Sequence, residues 1–164
     1  MSTWFMNGTS IHQVAFLPNV STDWTIVGLG DFSGDGKADI LWRHTSGDLV
    51  TWLMDGTSIS QIAFLPNVST KWAIKGLGDF NGDGKTDILW RHASGAIYEW
   101  LMDGINILQV APLPNVSTDW TIVGLGDFSG DGKADILWQH TSGSVYEWLM
   151  DGTIIIGSGY PGGS

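Results

Sequence analysis

Three stretches of the chain each place three aspartates and one neutral oxygen donor within nine residues. The first holds Asp31, Ser33, Asp35 and Asp39, and the second Asp79, Asn81, Asp83 and Asp87. The third holds Asp127, Ser129, Asp131 and Asp135. Carboxylates at the first, fifth and ninth positions, with a hydroxyl or amide at the third, form a hard-oxygen donor set. Ca²⁺ takes six to eight such oxygens, and the backbone carbonyls of Lys37, Lys85 and Lys133 are placed to add one more in each loop. Mg²⁺ demands stricter octahedral geometry, and transition metals prefer imidazole or thiolate, which the loops lack. The expectation is therefore about three Ca²⁺ per chain. Crowded carboxylates repel one another unless a cation stands between them or their pKa values rise, and nine of the seventeen acidic residues sit in these loops. Asp, Ser, Asn and Gly also favour turns without any metal, but a plain turn does not require Asp at the same three positions three times. The loops are not EF-hands: their twelfth residue is Trp42, Trp90 or Trp138 instead of a bidentate Glu, and their flanks read as strands.

The elements that must hold these loops follow from the spacing. The acidic phrase recurs every 48 residues, and all ten tryptophans fall into three phases of the same period. Each period contains four short segments rich in Ile, Val, Leu and Trp, bounded by Gly, Asp, Asn, Ser and Pro, which is strand and turn chemistry. In the central copy they are "WAIKGLGDF" (72–80), "DILWRH" (87–92), "AIYEWLMD" (96–103) and "ILQVAPL" (107–113). Four antiparallel strands per repeat correspond to one blade of a β-propeller. The expected fold is all-β: a half blade over 1–20, blades over 21–68, 69–116 and 117–160, and a tail or linker at 161–164. About three and a half blades leave open apolar faces. They imply a homo-oligomer, with a second chain closing a six- or seven-bladed ring.

"GDFNGDGKTDILWR" (78–91) resembles the FG-GAP or VCBS repeat of integrin-α-type propellers, and in particular the tandem-repeat lectins of that group. The resemblance runs from about Trp4 to Gly157. It implies that the loop aspartates bind Ca²⁺ between the first two strands of a blade. It further implies roles in adhesion, glycan binding and surface display, hence an extracellular or cell-surface location in a bacterium or fungus. Fold likeness alone narrows function only to binding.

Strand parity places the acidic loops and the "MDGT" turns on one rim, and the loops between second and third strands on the other. That second rim carries Trp42, Arg43 and His44, then Trp90, Arg91 and His92, then Trp138, Gln139 and His140. Aromatic faces and planar polar groups suit sugars, so these nine are the candidate ligand-binding residues, with the Gln139 copy expected to be weakest. The competing role for the tryptophans is packing, because both faces of a propeller blade are covered.

Composition excludes other classes. Seven basic residues against seventeen acidic ones, a net charge of −10, argue against nucleic acid and anionic membranes. No apolar run has membrane length, and the N-terminus lacks signal-peptide features. There is no cysteine and no G-x-S-x-G elbow. Glu99 and Glu147, the only glutamates, share one repeat position and read as a solvated or hydrogen-bonded strand edge. The expected module is a non-catalytic, multivalent carbohydrate-binding propeller with itself and glycans as partners; the alternative is a structural or protein-interaction propeller, including an engineered or recently amplified self-assembling repeat with no ligand.

Overall fold

In the computed structural model, which describes residues 2–162, the chain forms fourteen strands and no helix among the described residues. Met1, Gly163 and Ser164 lie outside the described residues, so the ends of the expected half blade and tail do too. Strands β1 (Ser2–Asn7) and β2 (Ser10–Phe16) make a hairpin. β3 (Trp24–Gly30), β4 (Asp39–His44), β5 (Leu49–Asp55) and β6 (Ser58–Leu65) form the first four-stranded sheet. β7 (Trp72–Gly78), β8 (Asp87–His92), β9 (Ile97–Asp103) and β10 (Asn106–Leu113) form the second. β11 (Trp120–Gly126), β12 (Asp135–His140), β13 (Val145–Asp151) and β14 (Ile154–Gly159) form the third. All pairings are antiparallel between sequence neighbours, so each sheet is an up-and-down meander. The all-β blade architecture is thus present.

The second sheet is packed on both faces, which explains why its inner strands read as nearly continuous apolar runs. One face of the first sheet (Phe32, Leu41, Leu49, Leu53, Leu65) packs on Ile88, Trp90, Trp100 and Met102 of the second. The second repeats the contact one step on: Phe80, Leu89, Ile97, Leu101 and Leu113 meet Ile122, Ile136, Trp138 and Met150 of the third. First strands of successive sheets approach most closely. A Cβ on Gly76 would come within 2.4 Å of Leu125 Cδ1, so a larger residue there would force the Leu125 side chain to move. In every sheet a β-bulge interrupts the pairing of first and second strands, as at Ile74/Gly76. A bulge sharpens the local twist and re-aims a side chain; in the second sheet the extra residue is Lys75.

The last sheet and the first hairpin carry open faces. Phe32 and Phe80 are fully buried, whereas their repeat equivalent Phe128 is 47% exposed. At the other end Trp4 and Met6 are 58% and 56% exposed, although their equivalents Trp100 and Met102 are buried.

Candidate functional site

The acidic loops connect first to second strands. In each, the first aspartate is gripped by the loop's own backbone. Asp31 Oδ1 accepts the N–H groups of Gly34 and Asp35 at 2.7 and 3.1 Å, and Oδ2 accepts that of Gly36 at 2.8 Å. Asp79 and Asp127 repeat the pattern. The N–H groups of Gly132, Gly130 and Asp131 hold the Asp127 carboxyl below its ordinary range. The ninth-position acids act as internal staples. Fully buried Asp39 accepts the Phe32 and Ser33 N–H groups on Oδ2 and that of Met54, on the third strand, on Oδ1. Asp87 and Asp135 bond likewise to the Phe80 and Met102 and to the Phe128 and Met150 N–H groups. Burial raises Asp87 to about 6, with Asp83 and Asp79 adding repulsion.

The fifth-position acids face outward. Asp35 accepts the Lys37 N–H at 2.9 Å and its ammonium at 3.1 Å, and both keep its carboxyl low. Lys85 pairs with Asp103 and Lys133 with Asp151 across the same rim. Ser33 and Ser129 donate weakly to Asp31 and Asp127, and Asn81 to Asp83. Among the described residues no three Asp, Glu or His side chains converge closely enough to hold an ion. The donor set is nonetheless all oxygen. Asp83 Oδ2 and the whole of Asp131 apart from its bond to the Lys133 N–H face no lysine.

The loops are also chained from blade to blade. The Thr86 N–H donates to the Asp31 carbonyl at 2.8 Å and that of Ala134 to the Asp79 carbonyl at 2.7 Å. The Gly152 N–H, in an "MDGT" turn, donates to the Phe80 carbonyl at 2.8 Å, which puts these turns on the rim of the acidic loops.

On the opposite rim the structure corrects part of the ligand assignment. Trp42, Trp90 and Trp138 are 6%, 1% and 1% exposed and present no ring to solvent: Trp90 and Trp138 form the joints between sheets, and Trp42 packs with Leu17, Val50 and Trp52 on the other face of the first sheet. Arg91 is buried and donates to the carbonyls of Trp120, Val116 and Ser117 in the next repeat, with its guanidinium 5.2 Å from the Trp138 ring. Arg43 ties the first sheet to the second in the same way, through Trp72, Val68 and Ser69. These arginines work as blade-to-blade clamps. Gln139 has no such role and is exposed. His44, His92 and His140 each take the N–H of a serine two residues on at Nδ1 and lie tilted against a first-strand tryptophan, with ring centroids 4.9–5.0 Å apart. Nε2 is thereby left as the ring donor.

The exposed parts of this rim are two grooves. One lies between Arg91, His92 and Ala93 of the second sheet and Thr118, Trp120 and Thr121 of the third, with Lys71, Ala73 and Lys75 completing it. The other is lined by Thr121, Val123, Gln139, His140 and Thr141. The half-buried first-strand tryptophans, Trp120 above all, therefore supply the accessible aromatic surface that the second-strand tryptophans do not.

Glu99 also departs from expectation. It is fully buried, both carboxylate oxygens lack a partner, and burial raises it to about 8. A strand-three residue lies on a covered face once sheets stack on both sides, which is why it is not a solvated edge. Its repeat equivalent Thr51 is likewise buried and unpaired, and Glu147 is half-buried.

The FG-GAP-like repeat is matched twice, over residues 31–90 and 79–138. No similar curated protein and no similar solved structure is found.

Proposed function

From the premise that this chain belongs to the FG-GAP-like repeat family, we propose that it is a non-catalytic binding module whose acidic loops hold Ca²⁺ and whose opposite rim takes saccharides. The observation that supports the metal most directly is the backbone grip on Asp31, Asp79 and Asp127. Three N–H groups fold each loop around its first carboxylate, with positive-φ glycines such as Gly36 allowing the bend. Asp31, Ser33, Asp35, Asp39 and the Lys37 carbonyl would hold one ion, and the equivalent residues of the other loops two more. The ion's contribution is structural, since it cancels carboxylate repulsion and fixes the turn between first and second strands. Loading requires Asp35 to turn away from the Lys37 ammonium, whereas Asp83 and Asp131 have no lysine ammonium to leave. A ligand bound only by the folded state adds about 4 kcal/mol at a thousandfold excess over Kd. The melting temperature is therefore expected to rise with CaCl₂ and fall with EGTA. Identical melts in the two solutions would overturn the metal assignment.

The saccharide reading is supported by the groove chemistry: a half-buried indole, imidazole donors and threonine hydroxyls on one accessible rim. The open apolar faces favour a partner as well, a second copy of this chain. The uncovered Phe128 face and the uncovered Trp4 and Met6 face are the two complementary sides of a contact that the chain makes internally between successive sheets.

A further inference from the structure

The repeats are near copies, so the places where one departs from both others are informative. In the second repeat, Lys71 stands where the first and third have Asp23 and Asp119. Lys75 stands where they have Val27 and Val123, Ala73 where they have Thr25 and Thr121, and Ala93 where they have Thr45 and Thr141. All four positions line a single groove of about 260 Å³, the one between the second and third sheets. They lie on one strand, β7, and on the turns before it and after β8. Only the fold gathers them.

The substitutions change the groove in one direction. An acid becomes a base, an apolar bulge residue becomes a second base, and two side chains shrink to methyl groups. The result is a wider and more cationic groove in a chain of net charge −10. Lys37, Lys85 and Lys133 are each paired with aspartate, whereas Lys71 and Lys75 have no ion-pair partner among the described residues and both are exposed. Arg91 lines the same groove, and its three carbonyl contacts hold its charge in place. The equivalent groove on the third repeat has Val123 and Gln139 and no cation among its lining residues.

We propose that this groove is an anion subsite, taking the carboxylate or sulfate group of an acidic saccharide between Lys71 and Lys75 while the sugar lies against Trp120, Thr118 and Thr121. Two free ammonium groups recognise an anion through charge and hydrogen bonding. The indole beside them offers an apolar surface for sugar C–H groups. Acidic polypeptides share the anion but gain less from a lone indole and two threonines. The inference rests on the saccharide reading of this rim and narrows it to acidic sugars at one of the blade joints.

The test titrates the whole chain by calorimetry with four probes at low salt: an oligogalacturonate, a sulfated heparin-derived oligosaccharide, a neutral oligosaccharide of matching length, and polyglutamate. The companion variant is Lys71→Asp with Lys75→Val, which installs side chains the other two repeats already carry, so the fold accommodates it. At least one acidic saccharide is expected to bind more tightly than the neutral one. That affinity is expected to fall by about tenfold or more in the variant, and severalfold at high salt. Equal binding of neutral and acidic sugars, or acidic binding untouched in the variant, overturns the anion subsite and leaves saccharide binding standing. Binding of no saccharide overturns both. Polyglutamate binding in preference to every sugar overturns the assignment to sugars.

Discussion

Replacing Glu99 with Gln tests the packing of the second and third sheets through a single proton. Glu99 sits between Ile97 and Leu101, whose side chains pack against Ile122, Ile136 and Trp138 across the joint. Neither carboxylate oxygen has a partner, and the Trp138 indole N–H on the same joint also lacks one. Burial moves this carboxyl from its ordinary 4.5 to about 8. Between those values the folded chain keeps a proton that the unfolded chain has released, so stability must fall as pH rises through that window and level off above it. At about 1.4 kcal/mol per tenfold change in proton affinity, the full loss is up to about 5 kcal/mol, and relaxation or entering water reduces it to about half. Asp87, raised to about 6, pushes the same way between 3.8 and 6 in both proteins, and its charge adds to the raising of Glu99, which only the parent feels. Urea unfolding at pH 5, 7 and 9 in EGTA would be measured for the parent and for Glu99→Gln. The variant should gain on the parent by about 2–4 kcal/mol between pH 5 and 9. Parallel stability curves would show that the carboxyl is not held in a dry joint, and would refute the reasoning.

Two further measurements address the sheet faces. Phe80→Ala should cost about 3–5 kcal/mol, because it empties a closed joint, while Phe128→Ala at the same repeat position should cost less than about 1 kcal/mol at dilutions where the chain is a monomer, and more once a second copy covers that face. Equal losses in the dilute monomer would mean that the third sheet's face is already covered within one chain. Sedimentation equilibrium should give more than one chain per particle, with Phe128→Asp or Met6→Asp shifting the mass toward one; a monomer at every concentration would exclude the second copy.

Much of this was legible in the residues. Hairpin turns at Gly8, Gly56, Gly104 and Gly152 and the four-strand period follow from local chemistry, which neighbouring repeats do not alter. Alternation along β4 separates Ile40 and Trp42 from Leu41, and the two sets enter different cores. What parity does not convey is which polar side chain a neighbouring blade captures. Arg91 reads as a rim cation until the Trp120, Val116 and Ser117 carbonyls are brought beside it. Glu99 reads as an edge until the third sheet closes over it. The lysines at 71 and 75 were visible as departures from the repeat, yet their shared groove depends on Trp120 and Thr121, nearly fifty residues onward.

The backbone bonds from Thr86 to Asp31 and from Ala134 to Asp79 make each acidic loop the scaffold of its successor. Order then spreads as in a one-dimensional lattice with nearest-neighbour coupling. A disturbance at Asp31 reaches the second loop directly and the third only through it, so damage fades with distance along the chain. Successive loops are therefore links in a graded relay, and neighbouring loops gain or lose order together more readily than distant ones.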